Sequence, residues 1–247
     1  MKYLLGLILT FSMAHAIITI VPVKLGKKPG VSGAIQGSSE RKKGNTDTNY
    51  YSGGVRLQYD NNSSYVLWSD ITGSYGEANG EENANKTYVH IRYIHKLYEK
   101  SINWETFVQS ETNKYTKVDE KYLVGGGLRY NFLEQDYGDV FVGVGGFNEK
   151  ITYTTTQDPS ETNFRLNTYL AYTLKFGDDS KLAYVLYYQP NSEDFSDYIM
   201  SNAFGLKIHV YKQLFLSFML YYDEDSEPAI GVKEYDYTQK TSFIWEF

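Results

Sequence analysis

Histidines, serines, acidic side chains and glycine runs are present in this chain, but none stands at the spacing that chemistry requires. His90 and His95 are five positions apart, so on an extended strand they point to opposite faces and cannot share a metal ion. His209 stands near Lys207 with no second histidine and reads as a hydrogen-bonded polar side chain. No Gly-x-Ser-x-Gly elbow accompanies these histidines, so a serine hydrolase lacks its signature. The glycine runs Gly125-Gly126-Gly127 and Gly143-Val144-Gly145-Gly146 lie inside strand-like stretches, not between a strand and a helix. They therefore suit close packing or sharp bending of strands, and not phosphate binding. Acidic clusters occur at Glu77, Glu81 and Glu82, at Glu193, Asp194 and Asp197, and at Asp223, Glu224, Asp225 and Glu227. They lack the ligand order and central glycine of a calcium loop and read as solvated loops, with divalent ions bridging them to anionic headgroups as the alternative. No catalytic, cofactor or metal site is expected.

Composition narrows the class. The chain has 25 Tyr, 13 Phe and 21 Gly against 5 Pro, with no cysteine, so neither disulfides nor thiolate metal sites are available. Its formal charge is −6, and one unit more negative if residues 1–16 are removed, which disfavours nucleic acid. Those sixteen residues read as a secretory signal: Lys2, an apolar stretch from Tyr3 to Met13, and Ala14-His15-Ala16 as a small-x-small cleavage site. The apolar stretch is well short of the ~20 residues that a spanning helix needs. The expected organisation is a signal peptide at 1–16 cleaved after Ala16, a short periplasmic segment at 17–30, and one domain at 31–247.

Aromatic and β-branched residues fit a pleated surface, and from residue 31 onward segments of roughly ten residues alternate apolar and polar side chains. About twelve such strands are predicted, at 31–39, 48–60, 63–75, 86–96, 102–112, 120–132, 139–153, 162–176, 181–189, 199–210, 213–222 and 233–247. In the eighth, Phe164, Leu166, Leu170, Tyr172, Leu174 and Phe176 oppose Asn163, Arg165, Asn167, Thr173 and Lys175. The seventh has no assignable orientation, because Val140, Val142 and Val144 oppose Phe141, Phe147, Ile151 and Tyr153. Connections are expected to alternate strictly. Short ones lie near 60–62, 97–101, 133–138, 177–180 and 211–212, and longer polar ones near 40–47, 76–85, 113–119, 154–161, 190–198 and 223–232. Short turns on one side and longer loops on the other are the pattern of a closed antiparallel transmembrane up-and-down β-barrel, with both termini in the periplasm. Closure follows from the solvent, since an open sheet edge in hydrocarbon leaves unpaired backbone groups at several kcal/mol each.

Such a barrel turns one face of each strand to lipid and the other to a lumen. On the lumen side the alternation places Arg56, Asp70, Arg92, Glu105, Glu111, Lys121, Arg129, Arg165, Lys175, Lys207, Asp236 and Lys240. Charges of mixed sign at that density either pair across the lumen and fill it or line a narrow hydrated passage.

Two stretches carry resemblances. Asn103-Trp104-Glu105-Thr106-Phe107-Val108-Gln109-Ser110-Glu111, then Asp119, then Lys121-Tyr122-Leu123-Val124-Gly125-Gly126-Gly127-Leu128-Arg129-Tyr130, resembles the DUF481 family, the YdiY-like salt-induced outer membrane proteins. The family pattern runs from an aromatic through Phe-x-Gln-x-Glu to a basic residue before a Gly-x-Gly strand, and Lys121 stands where an arginine is expected. The resemblance implies an outer-membrane barrel over most of the chain and carries no settled activity. Phe243, Trp245 and Phe247 resemble the alternating carboxy-terminal aromatics by which the barrel assembly machinery recognises outer-membrane proteins.

The leading reading is therefore a non-enzymatic barrel of a Gram-negative outer membrane, in contact with lipid and lipopolysaccharide. It acts either as a narrow pore for small solutes or ions or as a structural envelope component. Two readings compete with it. A lipid-modifying enzyme needs a serine, a histidine and an orienting partner near the outer leaflet, and a soluble β-sandwich binding domain needs its apolar faces to meet each other.

Overall fold

The alternation in the sequence becomes an all-β architecture in the structure, a computed structural model that describes residues 23–26, 28–42, 48–97, 101–177 and 179–247. The expected signal peptide and its cleavage site lie outside the described residues. The strands are β1 (Gly30–Lys42), β2 (Thr48–Asp60), β3 (Tyr65–Ala78), β4 (Glu81–Lys96), β5 (Ile102–Asn113) and β6 (Val118–Gln135). They continue as β7 (Gly138–Tyr153), β8 (Glu161–Phe176), β9 (Ser180–Pro190), β10 (Tyr198–Tyr211), β11 (Leu214–Asp225) and β12 (Tyr235–Glu246). Each pairs antiparallel with its neighbours in sequence, and β1 meets β12 to close the barrel. That seam is short: Ala34↔Glu246 to Gly37↔Phe243 are in register, and Gly33 and Phe247 exchange backbone hydrogen bonds of 2.9 and 3.0 Å.

The outer wall is apolar. Ile35, Leu57, Ile71, Ile91, Val108, Val124, Leu170 and Ile208 project outward and are exposed. In water such a surface would be an aggregation hazard, whereas against acyl chains it is the stable arrangement. Aromatic rings gather where the wall meets the headgroup layers. At the short-turn end Tyr59, Tyr65, Tyr93 and Trp104 form a chain with centroids 6.0, 5.4 and 5.2 Å apart. At the loop end Tyr188 meets Tyr198 and Tyr222 meets Tyr235. These are the amphipathic girdles of a transmembrane barrel.

The ambiguous seventh strand resolves with its valines outward. Val142 and Val144 are exposed, while Phe141, Phe147 and Ile151 are buried in the lumen. The reason lies next door, because glycines clear the room that the phenyl groups fill. A Cβ on Gly125 would stand 2.4 Å from Cβ of Phe147, and one on Gly143 would stand 2.0 Å from the Tyr169 ring. Gly127 and Gly145 serve the backbone itself. A Cβ there would lie 2.4 Å from the Val144 carbonyl oxygen and 2.2 Å from that of Gly126, so β6 and β7 approach more closely than any side chain permits.

The expected strict alternation of connections needs correction at two places. The link read as 76–85 shrinks to Asn79-Gly80, with φ of 52° and 83°, because β3 and β4 continue pairing through Glu77↔Glu82 and Ala78↔Glu81. Asn-Gly supplies the two left-handed residues that a two-residue hairpin needs. The link read as 113–119 similarly reduces to Lys114–Lys117. The polar strand extensions protrude past the girdle, where neither face needs to be apolar, and so they imitate loops in the sequence. The connections 154–160, 191–197 and 226–234 remain long.

The described part of the segment expected to be periplasmic, 23–26 and 28–29, reaches into the short-turn end of the lumen. Val23 is buried against Val66 and Ile94, with Leu25 and Trp68 packed around them. Lys24 pairs with Asp139 and approaches Glu134 at 3.9 Å, and Lys28 reaches Glu246 at 3.1 Å.

Candidate functional site

Inward-pointing side chains divide the lumen into a packed part and a chamber. Apolar clusters fill part of the wall: Phe141 with Tyr169, Ala171 and Val185 on β7 to β9, Ala203 with Met219 and Tyr221 on β10 and β11, and Ala34 with Phe215 and Ile244 where β1 and β11 flank β12. Beside and above them a chamber of about 350 Å³ runs from Val23 to the loop rim. Its upper edge is reached by the 226–234 connection, whose Ala229 is buried and lines the space. That connection arches over the mouth, with the Ile230 amide donating to Asp158 at 3.0 Å and the Ile230 carbonyl accepting from Lys117.

Of the charged residues expected in the lumen, Arg56, Asp70, Arg92, Glu111, Lys121, Arg129 and Asp236 line the chamber and Glu105, Arg165, Lys207 and Lys240 are buried, in separate groups. Near the floor, Arg56 makes a two-pronged contact with Asp70, its Nε donating at 2.6 Å, and its guanidinium lies 4.7 Å from the Trp68 ring centroid. Arg92 stands over Trp68 and Phe107 at 5.6 and 5.1 Å and faces Glu105 at 3.6 Å. Glu105 also accepts the Tyr169 hydroxyl at 2.9 Å. Arg129 donates through Nη1 to the Val23 carbonyl at 3.0 Å and lies 4.7 Å from the Phe141 ring centroid.

A second group sits higher. Glu149 forms an ion pair with Lys121 at 2.6 Å and accepts from Arg165 Nε at 2.6 Å. The other end of the Arg165 guanidinium grips both oxygens of Asp197 at 2.9 and 3.2 Å. Glu111 pairs with Lys86 at 2.7 Å. Arg165 thereby ties β7, β8 and the 191–197 connection together in a planar, two-sided fork that lysine cannot reproduce. In the same connection the Ser196 hydroxyl and amide both donate to Asp194 and hold its carboxyl below the ordinary carboxylate range.

The remaining assigned residues lie apart. Lys207 pairs with Glu246 at 2.5 Å, Lys240 is buried beneath the loop end of β12, and Asp236 borders the chamber rim. Lys175 caps the short-turn end by donating to the Asp136 carbonyl at 3.2 Å. Alternation did not identify Glu149 or Asp197 as inner residues. Glu149 shares the face of Phe147 and Ile151, so it became legible only once β7 was oriented. Asp197, read from the sequence as part of a solvated loop, is instead buried against Arg165, because the fold of its connection turns it inward.

The histidines keep to their separate faces. His90 is buried, its Nε2 accepting from Arg92 Nε at 3.2 Å and its Nδ1 opposite Gln109 Oε1 at 3.2 Å. Accepting from an arginine requires the Nε2 lone pair, so the proton sits on Nδ1 and donates to Gln109. Both ring nitrogens are thus occupied. His95 lies on the outer face against Tyr93 and Trp104. Among the described residues, no group of three histidine or acidic side chains converges to hold a metal ion.

The closed twelve-stranded wall, greasy outside and charged inside, takes in most of the span that a protein-family model matches. The model for "Protein of unknown function, DUF481" matches residues 37–247. The chain belongs to the DUF481 family. Among solved structures, this DUF481 barrel is similar to the NanC porin, with a TM-score of 0.51 at 10% identity over 87% of this chain and 97% of that one. The KdgM porin aligns with a TM-score of 0.48 at 12% identity, over 88% of this chain and 99% of that one. The translocator domain of the autotransporter NalP from Neisseria meningitidis aligns at 0.44 and 10% identity, over 87% and 86% of the two chains. At 10% identity the likeness to the NanC porin is one of fold, that of an outer-membrane β-barrel. Comparison with curated proteins gives no match.

Proposed function

We propose that this protein is a non-enzymatic barrel of the Gram-negative outer membrane whose chamber admits small polar solutes or ions. The observation that carries the reading is the chamber itself: about 350 Å³ walled by paired charges and aromatic rings, inside a cylinder whose exterior suits lipid. Space of that size admits small solutes only, and the fixed charges around it select among them. Entry is from the loop side, beneath the 226–234 connection. Val23 and the neighbouring clusters narrow the opposite end, so passage is small and intermittent.

The same reading includes export with cleavage after Ala16 and assembly through the last strand. Phe243, Trp245 and Phe247 all point outward from the closing strand and are exposed there, which supports their role as the feature presented to the assembly machinery. Outer-membrane lipid and lipopolysaccharide are the surrounding partners. The test is single-channel recording in a planar bilayer with protein that shows heat-modifiable migration. Small, discrete conductance steps are expected. Complete absence of current from the folded protein removes the passage reading and leaves a structural role in the envelope.

A further inference from the structure

One buried cation near the chamber floor lacks a carboxylate partner among the described residues. Two of the three guanidiniums at that level are each answered by a carboxylate, Arg56 by Asp70 and Arg92 by Glu105. Arg129 has no carboxylate partner among the described residues, although it is only 3% exposed. It is held by a backbone carbonyl and a phenyl face, and its Nε has no acceptor among the described residues. Trp68 packs around the same Val23, and its buried Nε1 likewise lacks an acceptor. Both residues line the chamber. A buried cation costs free energy unless a charge and hydrogen bonds compensate it. Water could satisfy the two donors, but it could not supply the missing negative charge.

We propose that the floor is a binding site for a small organic monoanion, a carboxylate on a flat apolar body, seated against Arg129 and Trp68. The proposal deepens the reading above and rests on it for the ligand's route into the barrel. One guanidinium without a carboxylate calls for a monoanion, and a carboxylate has an oxygen for each of the two donors that converge on Val23. Phe107, Phe147 and Tyr187 wall the chamber and favour a flat apolar body over a heavily hydrated one. Its volume stands at the lower end of the ~300–1,000 Å³ typical of small-ligand sites.

Benzoate and its neutral isostere benzamide test the idea. Each is titrated into the folded barrel in detergent by calorimetry. Benzoate is expected to bind at least about tenfold more tightly than benzamide, a difference of roughly 1.4 kcal/mol. Arg129→Gln is expected to erase that preference, while Lys175→Gln, outside the chamber, retains it. Equal affinity for the two probes, or no binding of benzoate, overturns the proposal, and this comparison needs only the unmodified protein. Unchanged preference in a folded Arg129→Gln barrel overturns it as well. Benzoate binding without conductance removes passage and keeps the site, whereas conductance without benzoate binding removes the site and keeps passage.

Discussion

At the scale of single residues, the inner wall is governed by the cost of burying charge. Glu149 is the clearest case, since it is buried together with Arg165 and also pairs with the half-buried Lys121. Taking one partner from a buried ion pair typically costs about 3–5 kcal/mol, because the charges left behind stay buried. Glu149→Gln is therefore expected to lower the barrel's stability by about 3 kcal/mol in urea titrations of the protein in lipid vesicles. The exposed Glu193→Gln is expected to change it by less than about 0.5 kcal/mol. Most of this inner set was legible in the sequence, because strand alternation alone sends Arg56, Asp70, Arg92, Glu105 and Arg165 to one face. Their partners were not. Which carboxylate meets which guanidinium depends on register between strands, and for Asp197 on the path of a connection that has no periodic pattern to read.

At the scale of elements, twelve strands and their approximate bounds follow from period-two alternation, and the exceptions have physical causes. β7 is apolar on both faces because its inner phenyl groups fill space released by glycines on β6 and β7. Hydrophobicity alone therefore gives no orientation. The hairpin at Asn79-Gly80 resembled a long loop because strand ends outside the bilayer need no greasy face. The glycines themselves are testable. A methyl group at Gly145 would lie 2.2 Å from a backbone carbonyl oxygen that side-chain rotation cannot move, whereas at Gly73 the nearest atom is at 3.9 Å. Gly145→Ala is expected to destabilise the barrel by at least the ~1–3 kcal/mol of an overpacked core. Gly73→Ala is expected to be near neutral, with the midpoint of urea unfolding reporting both.

At the scale of the whole molecule, the decisive physical fact is inversion: the charged side chains are inside and the continuous apolar surface is outside. That arrangement is stable only where the surroundings are lipid and the sheet closes on itself, as the meeting of β1 with β12 accomplishes. The three tryptophans divide between the two sides. Trp68 lines the inner chamber, while Trp104 and Trp245 belong to the outer wall, near the short-turn girdle. Quenching of tryptophan fluorescence by brominated acyl chains separates them, using variants that retain one tryptophan each in reconstituted vesicles. Strong quenching of Trp104 and Trp245, with Trp68 little affected, is the predicted result. Trp68 quenched as strongly as Trp245, or Trp245 untouched by the brominated lipid, would contradict a barrel whose greasy side faces the membrane.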